Sequence, residues 1–309
     1  MITTLTPLVS IVMPAFNAEQ HIYEAISSVL NQTYAHFELL VCDDGSTDQT
    51  LVIAKSLSLQ DGRIHVFNNP KNIGNLKTTN FLFTKCKGKY IAIQDADDVC
   101  SQNKLQLQVF ELEADPCLGL IGTNYMLTDE QLMPISCGLL PLSDEKIKKK
   151  MEKEVPPILY GSIMVRRKLV DTVGGFNIIF HRKGYADLDW LSRVCETTKV
   201  KNINEITYFY RQHGNPNRYV KDLVGRHGLE LIVEAYRQRL SGKRDFLETN
   251  NMFAIRLFLG KRYITLANNA VWSGDTTRAK SLYLESLKIY PFNLYAIKIL
   301  FKLILFKRP

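Results

Sequence analysis

Residues 93–100 read IQDADDVC, three carboxylates within four positions, directly behind the apolar run Tyr90-Ile91-Ala92-Ile93. Carboxylates this close repel and raise one another's pKa unless a positive group lies among them. Asp95, Asp97 and Asp98 therefore form either a corner built around a cation or a solvated acidic turn, and the string alone leaves both open. Two more polar clusters follow apolar runs. Asp43-Asp44 comes after Phe37-Glu-Leu-Leu-Val-Cys42, and Pro14-Ala-Phe-Asn17 begins where Val9-Ser-Ile-Val-Met13 stops.

The elements behind these clusters alternate. Short β-rich runs at 9–13, 37–42, 63–67 and 89–94 read as buried strands. Between them, 19–31, 50–59 and about 75–86 have helical periodicity. Strands alternating with helices of this length predict βαβ units and an α/β fold with a mainly parallel sheet. In such sheets ligands bind beyond the carboxyl ends of the strands. All three polar clusters fall at that edge, which argues for a binding site over three unrelated turns.

After residue 100 the pattern loosens. A helix is expected over 104–113, a short strand over 118–122, a charged helix or loop over 143–154, then a strand near 163 and a tight turn at Val173-Gly-Gly-Phe176. From 219 onward the chain reads as helical, so the expected division is an α/β domain over 1–218 and a helical region over 219–309. Within the latter, Ala267, Gly274, Ala279, Tyr283 and Pro291 have the spacing of one tetratricopeptide-like helix pair. The terminal IKILFKLILFKRP suits a packed helix or an interfacial one at a membrane surface.

Composition narrows the class. The 309 residues are 46% apolar and 23% charged, with a formal net charge of +8, as in a globular protein with room for an anionic partner. The six cysteines form no CxxC pair, which argues against a disulfide framework or zinc site. The N-terminal stretch lacks a basic n-region, and no run of 18 apolar residues occurs. A cytoplasmic protein is expected, with possible peripheral contact at the inner face of the cytoplasmic membrane. Basic residues are not interleaved with aromatics on one surface, so nucleic acid is not an expected partner.

Several ordered strings resemble one family, the family 2 glycosyltransferases of GT-A (Rossmann-like) fold. PLVSIVMPAFNAEQHIYEAISSVLNQTYAHFELLVCDDGSTDQT is similar to the family's nucleotide-binding start. NIGNLKTTN, IQDADDVCSQNKLQLQVFE, VGGFN, GYADLDWLSR and YRQH then follow in the family's order, over about residues 7–215. The resemblance implies metal-dependent, inverting transfer of a sugar from a UDP-sugar to a hydroxyl of a glycan or lipid-linked acceptor, in surface polysaccharide synthesis. It also implies Mn²⁺ or Mg²⁺, since hard divalent cations take carboxylate oxygens and keep positions for phosphate.

By that resemblance Asp97 is a metal ligand. Asp95 is a second, or orients the ribose or a metal-bound water. Asp44 reads the base edge, while Asp43 is better taken as a turn acid. Pro14 and Phe16 line the base pocket, Lys77 meets base or diphosphate, and Arg211 and His213 of YRQH lie near the diphosphate. Asp187 is the acceptor-side base. The family's preceding Glu is replaced by Ala186. That departure supports an alternative, a catalytically weakened transferase-like binding or assembly module, with Asp189 as a possible substitute acid. A sugar-phosphate nucleotidyltransferase would want a glycine- and arginine-rich N-terminal loop, which PAFNAEQ is not.

Overall fold

The computed structural model describes residues 6–151, 157–212, 223–243, 245, 247 and 251–305. His213 lies outside them. The chain divides into two compact units, Met1–Tyr236 and Arg237–Pro309.

The first unit is built on one mixed sheet. Strands β1 (Val9–Ala15) and β2 (Phe37–Asp43) are buried along their whole length, as befits parallel strands covered on both faces. They pair in parallel with Ala15 opposite Asp43, which brings the polar ends of both strands to one level. Strand β3 (Ile64–Asn68) lies parallel outside β2, and β4 (Tyr90–Ile93) lies parallel to β1 on its other side. Helices α1 (Ile22–Leu30), α2 (Thr50–Ser58) and α3 (Asn75–Lys85) make the crossovers. Ile22, Ala25, Ile26 and Val29, spaced for one face of α1, are buried with Ile11 and Met13 of β1 in a common core.

Beyond β4 the direction changes. Strand β8 (Met164–Arg166) runs antiparallel to β4 and to β6 (Leu118–Thr128). Strand β9 (Lys199–Arg211) runs parallel to β6, and the two-residue β5 (Val99–Cys100) pairs antiparallel with β9. A ninth strand, β7 (Pro134–Gly138), hangs on β6. The parallel half matches the pattern legible in the sequence. Of the mixed half, the start of β6 and the place of β8 are legible, but not β9 or the full length of β6, because β6 runs to 11 residues and β9 to 13 and both carry polar positions that break the strand period. Helices α4 (Lys104–Ala114), α5 (Asp144–Met151), α6 (Arg167–Val173) and α7 (Ala186–Thr197) complete this unit, with most of α8 (Leu223–Leu240).

The second unit takes the end of α8, then α9 (Met252–Trp272), α10 (Thr276–Ile289) and α11 (Leu294–Leu305). Ala267, Ala270, Ala279 and Ala296 pack with Tyr283, Leu300 and Leu303, and these small side chains let the helices approach closely. Three of the five repeat-like positions, Ala267, Ala279 and Tyr283, thus lie in its core, and Gly274 takes a positive φ between α9 and α10.

Candidate functional site

The acidic corner follows β4. Its backbone turns at once, with Asp98 N–H donating to Asp95 O at 3.4 Å. Pairing of β5 with β9 lays Tyr208 and Arg211 alongside. The Tyr208 hydroxyl donates to Oδ2 of Asp95 at 3.2 Å. Arg211 N–H donates to Oδ1 of Asp98 at 2.7 Å, and Arg211 Nε donates to Asp97 O at 2.8 Å. The other guanidinium nitrogens bind Glu130 O and, at 2.8 Å, the carboxylate of Glu24. Arg211 is 3% exposed, and these bonds make it a clamp on the acidic turn.

Beneath the corner lies a cation of the protein's own. Lys104, the first residue of α4, is fully buried and donates from Nζ to Ile93 O at 3.0 Å and Gly161 O at 2.9 Å. Its Nζ also sits 4.8 Å from the centre of the Tyr208 ring, within cation–π range. Burial lowers the Lys104 pKa, against the opposing pull of Cys100, Asp95 and Asp98. Gly161 faces the same spot, where a Cβ would stand 2.1 Å from the Tyr208 hydroxyl and 2.9 Å from Oδ2 of Asp95. Only glycine fits.

Lys104 does not neutralise the corner fully. Burial first, and Asp97 second, push the Asp95 pKa up to about 7. Burial, then Asp95 and Asp97, push Asp98 well above its ordinary value, and Oδ2 of Asp98 is buried with no hydrogen-bond partner among the described residues. A second positive charge would satisfy these groups. Among the described residues no three His, Cys, Asp or Glu side chains form a closed metal cage. Oxygen donors from Asp95 and Asp97 with coordination positions left over fit a hard divalent cation that arrives with a diphosphate.

Asp187, the acid expected on the acceptor side, comes from α7. Trp190, Leu191 and Val194 bury one face of this helix, Trp190 packs against Phe176 at 5.6 Å between ring centroids, and its Nε1–H donates to Gly174 O at 2.9 Å. Asp187 falls in the first turn and is near enough to raise the pKa of Asp95 by charge repulsion. Burial raises the pKa of Asp187 itself, while the backbone N–H groups of Leu188 and Asp187 oppose the shift. Asp189 is otherwise employed. It is 1% exposed and ion-paired with Arg193 at 3.1 Å, whose nitrogens also donate to Val173 O and Gly175 O. That removes it as a substitute base. Ala186 is buried.

On the other side, Pro14 is buried within β1 while Phe16, just past its end, is 46% exposed with its ring free to stack. Asp44 N–H donates to Ala15 O at 2.7 Å, joining the two strand tips. The Asp44 carboxylate collects four donors from one segment. Oδ1 accepts from Asn69 Nδ2, Ile73 N and Thr78 Oγ1 at 2.8–3.0 Å, and Oδ2 accepts from Gly74 N at 2.8 Å. Three lone-pair positions are filled by the protein, so any base contact falls to Oδ2. Asp43 Oδ2 accepts from Ser46 N at 3.2 Å, the turn role expected of it. Lys77 is exposed in the first turn of α3. His181 covers Gly74, where a Cβ would come within 2.2 Å of its ring, and burial with the nearby Lys77 lowers its pKa.

Pro14, Phe16, Asp44 and Lys77 therefore lie at the ends of β1, β2 and the start of α3, and Asp95, Asp97 and Arg211 at the end of β4. Four further groups join them that the sequence did not single out: Lys104, Tyr208, His181 and Tyr160. The Tyr160 hydroxyl is buried without a partner among the described residues, and both Asp95 and Asp187 raise its pKa, after burial. No local motif marks any of the four, since each acts through a contact distant in sequence.

Residues 10–174 match the family model described as Glycosyl transferase family 2. A Bacillus subtilis (strain 168) protein named as a glycosyltransferase, EpsE, is 32% identical over 208 residues, 67% of this chain and 73% of the relative. WfgD of Escherichia coli, a UDP-Glc:α-D-GlcNAc-diphosphoundecaprenol β-1,3-glucosyltransferase, is 46% identical over 102 residues, 33% of this chain and 40% of the relative. Among solved structures, S. aureus TarS 1–349 in complex with UDP-GlcNAc superposes with a TM-score of 0.62 at 15% identity, covering 91% of this chain and 81% of that one. This last likeness is one of fold.

Proposed function

Because the chain belongs to glycosyl transferase family 2, we propose that it moves a hexose from a UDP-sugar to a hydroxyl of a glycan or lipid-linked saccharide, with inversion, during surface polysaccharide synthesis. One observation carries this reading: Asp187 of α7, distant from Asp95 in sequence, folds back near enough to that acid behind β4 to raise its pKa. A donor-side acid and an acceptor-side acid facing one space suit displacement at a carbon held between them.

In this reading Phe16 stacks on the base, with Pro14 beside it. Oδ2 of Asp44 accepts from a ring N–H, as uracil offers. Lys77 and the N–H groups at the start of α3 face the diphosphate. Asp97 and Asp95 would hold Mn²⁺ or Mg²⁺, which supplies charge stabilisation for the departing diphosphate. Arg211 keeps the acidic turn in place by gripping Asp97 O and Asp98. Asp187 takes the proton from the acceptor hydroxyl as its oxygen attacks, and a pKa raised by burial makes it a better base than a solvated carboxylate. A lipid-linked acceptor puts this work at the inner face of the cytoplasmic membrane, with the enzyme in peripheral contact. The reaction of WfgD, on a diphosphoundecaprenol-linked sugar, supports that acceptor class.

Ala186 favours a second reading, a transferase-like module of weakened activity. The deciding experiment incubates the protein with a panel of UDP-sugars, Mn²⁺ and a diphosphoundecaprenol-linked saccharide, and measures UDP release. Metal-dependent release that vanishes in Asp97→Ala supports the enzyme. Nucleotide binding without release, for every donor and acceptor pair, supports the module.

A further inference from the structure

The net charge of the chain is unevenly held. Residues 237–309 contain 14 Lys and Arg against 4 Asp and Glu, a net +10, whereas residues 1–236 contain 25 against 27, a net −2. All of the protein's excess positive charge therefore lies in the helical unit.

The same unit exposes an apolar strip. Ala296, Leu300 and Leu303 turn one face of α11 into the core. On another face Leu294, Ile297 and Phe301 are exposed, at the i, i+3, i+7 spacing that aligns side chains along a helix. The strip continues off the helix. Phe292 is 80% exposed and Phe253 62%, and the two flank Tyr290 at ring distances of 6.3 and 5.9 Å. Lys298, also exposed, sits on α11 among these residues.

We infer that this basic, apolar face of the helical unit docks on an anionic phospholipid surface, with α11 lying in the plane of the interface. A lysine among exposed aliphatic and aromatic side chains on one helix face, within a unit of strong net positive charge, is chemistry that such a surface recognises. The 12 described residues of α11 are about 18 Å long against the roughly 30 Å hydrocarbon core, and the proposal lays them along the bilayer surface. No described helix is long and apolar enough to cross. A second copy of this chain is a poor occupant, because it would bring a second helical unit of net +10 against the first. This surface does not depend on the transferase reading, although a lipid-linked acceptor would give it a purpose.

The test uses the full chain without nucleotide, floated with vesicles of phosphatidylcholine alone or of phosphatidylcholine with phosphatidylglycerol. The expected result is flotation with the phosphatidylglycerol vesicles, weakened by added salt, and roughly tenfold weaker partitioning in the double variant Ile297→Asp, Phe301→Asp. The Ile297→Ser, Phe301→Ser variant, checked for helicity by circular dichroism, decides the matter if the aspartates unfold the unit, and it too should bind more weakly. UDP release to a water-soluble acceptor should be the same in all three proteins, which separates this test from that of the transferase. Equal flotation with both vesicle types, no flotation with either, or unaltered binding in the serine variant would overturn the proposal. So would light scattering that finds a dimer lost in these variants, since the strip would then face a second copy.

Discussion

The hydroxyl of Tyr208 reaches across 113 residues of sequence to Oδ2 of Asp95, at 3.2 Å. The contact exists because β9 pairs with β5 and because position 161 has no side chain. Gly161→Ala would drive a Cβ into that hydroxyl, so either Tyr208 or Asp95 must move. Transfer should fall at least tenfold, since a shift near 1 Å in a reacting geometry costs that much or more. Tyr208→Phe keeps the ring over Lys104 and removes two hydrogen bonds, the one given to Asp95 Oδ2 and the one accepted from Asp95 N–H at 3.3 Å, so transfer should fall by about tenfold to thirtyfold. Steady-state UDP release checks both, and equal, wild-type rates would mean that Asp95 needs no such support.

Asp97→Ala should remove the gain in melting temperature that Mn²⁺ and UDP give together, and lower transfer at least a hundredfold, in line with losing a group that offsets developing charge. Differential scanning fluorimetry with and without metal reads the first effect. An unchanged metal-dependent shift would take Asp97 out of the ligand set.

Asp187→Asn should cut transfer by about a hundredfold to ten-thousandfold while leaving UDP affinity within a few fold. The base must be ionised to act, and burial raises its pKa. The acid limb of kcat/KM should accordingly lie above the ordinary Asp value near 3.8, with activity lost as pH falls through it. A flat profile down to that value, or near wild-type transfer in Asp187→Asn, would assign the proton to another group.

Asp98 carries a cost in the metal-free protein. Its folded pKa lies above its unfolded one, chiefly through burial. The cost is absent below about pH 3.8, where both states hold the proton, and it grows as pH rises toward the folded value. Stability should drop with pH across that window by up to about 1.4 kcal/mol per pH unit. Asp98→Asn keeps an oxygen for the Arg211 N–H and should flatten the dependence, melting above wild type at neutral pH in EDTA. Matching pH profiles for the two proteins would show that Asp98 is not the group responsible.

Legibility in the sequence followed the range of the contacts. The runs before Asn17, Asp43 and Asp95 carry their own hydrophobic pattern, so the parallel half of the sheet and its polar ends could be read locally. Lys104 could not. It stands in the polar stretch SQNK at a helix start, where a lysine normally meets water, and only the register of β9 and the turn at Gly161 place it under the acids. The YRQH string marks Arg211 only as a residue expected near the diphosphate, and its grip on Asp97 O and on Glu24 depends on the pairing of β9 and on where α1 sits. The pairing of Asp189 with Arg193, one helical turn on, is by contrast legible locally as an i, i+4 pair, and it binds the acid expected to substitute for the Glu missing at 186.

Asp44, with three donors on one oxygen and one on the other, fastens the stretch from Asn69 to Thr78 to the tip of β2. A wall secured in this way stands ready before any guest arrives. In the proposed reading, discrimination among nucleotides is then a matter of matching a standing mould, and donors that would need the wall to yield bind poorly.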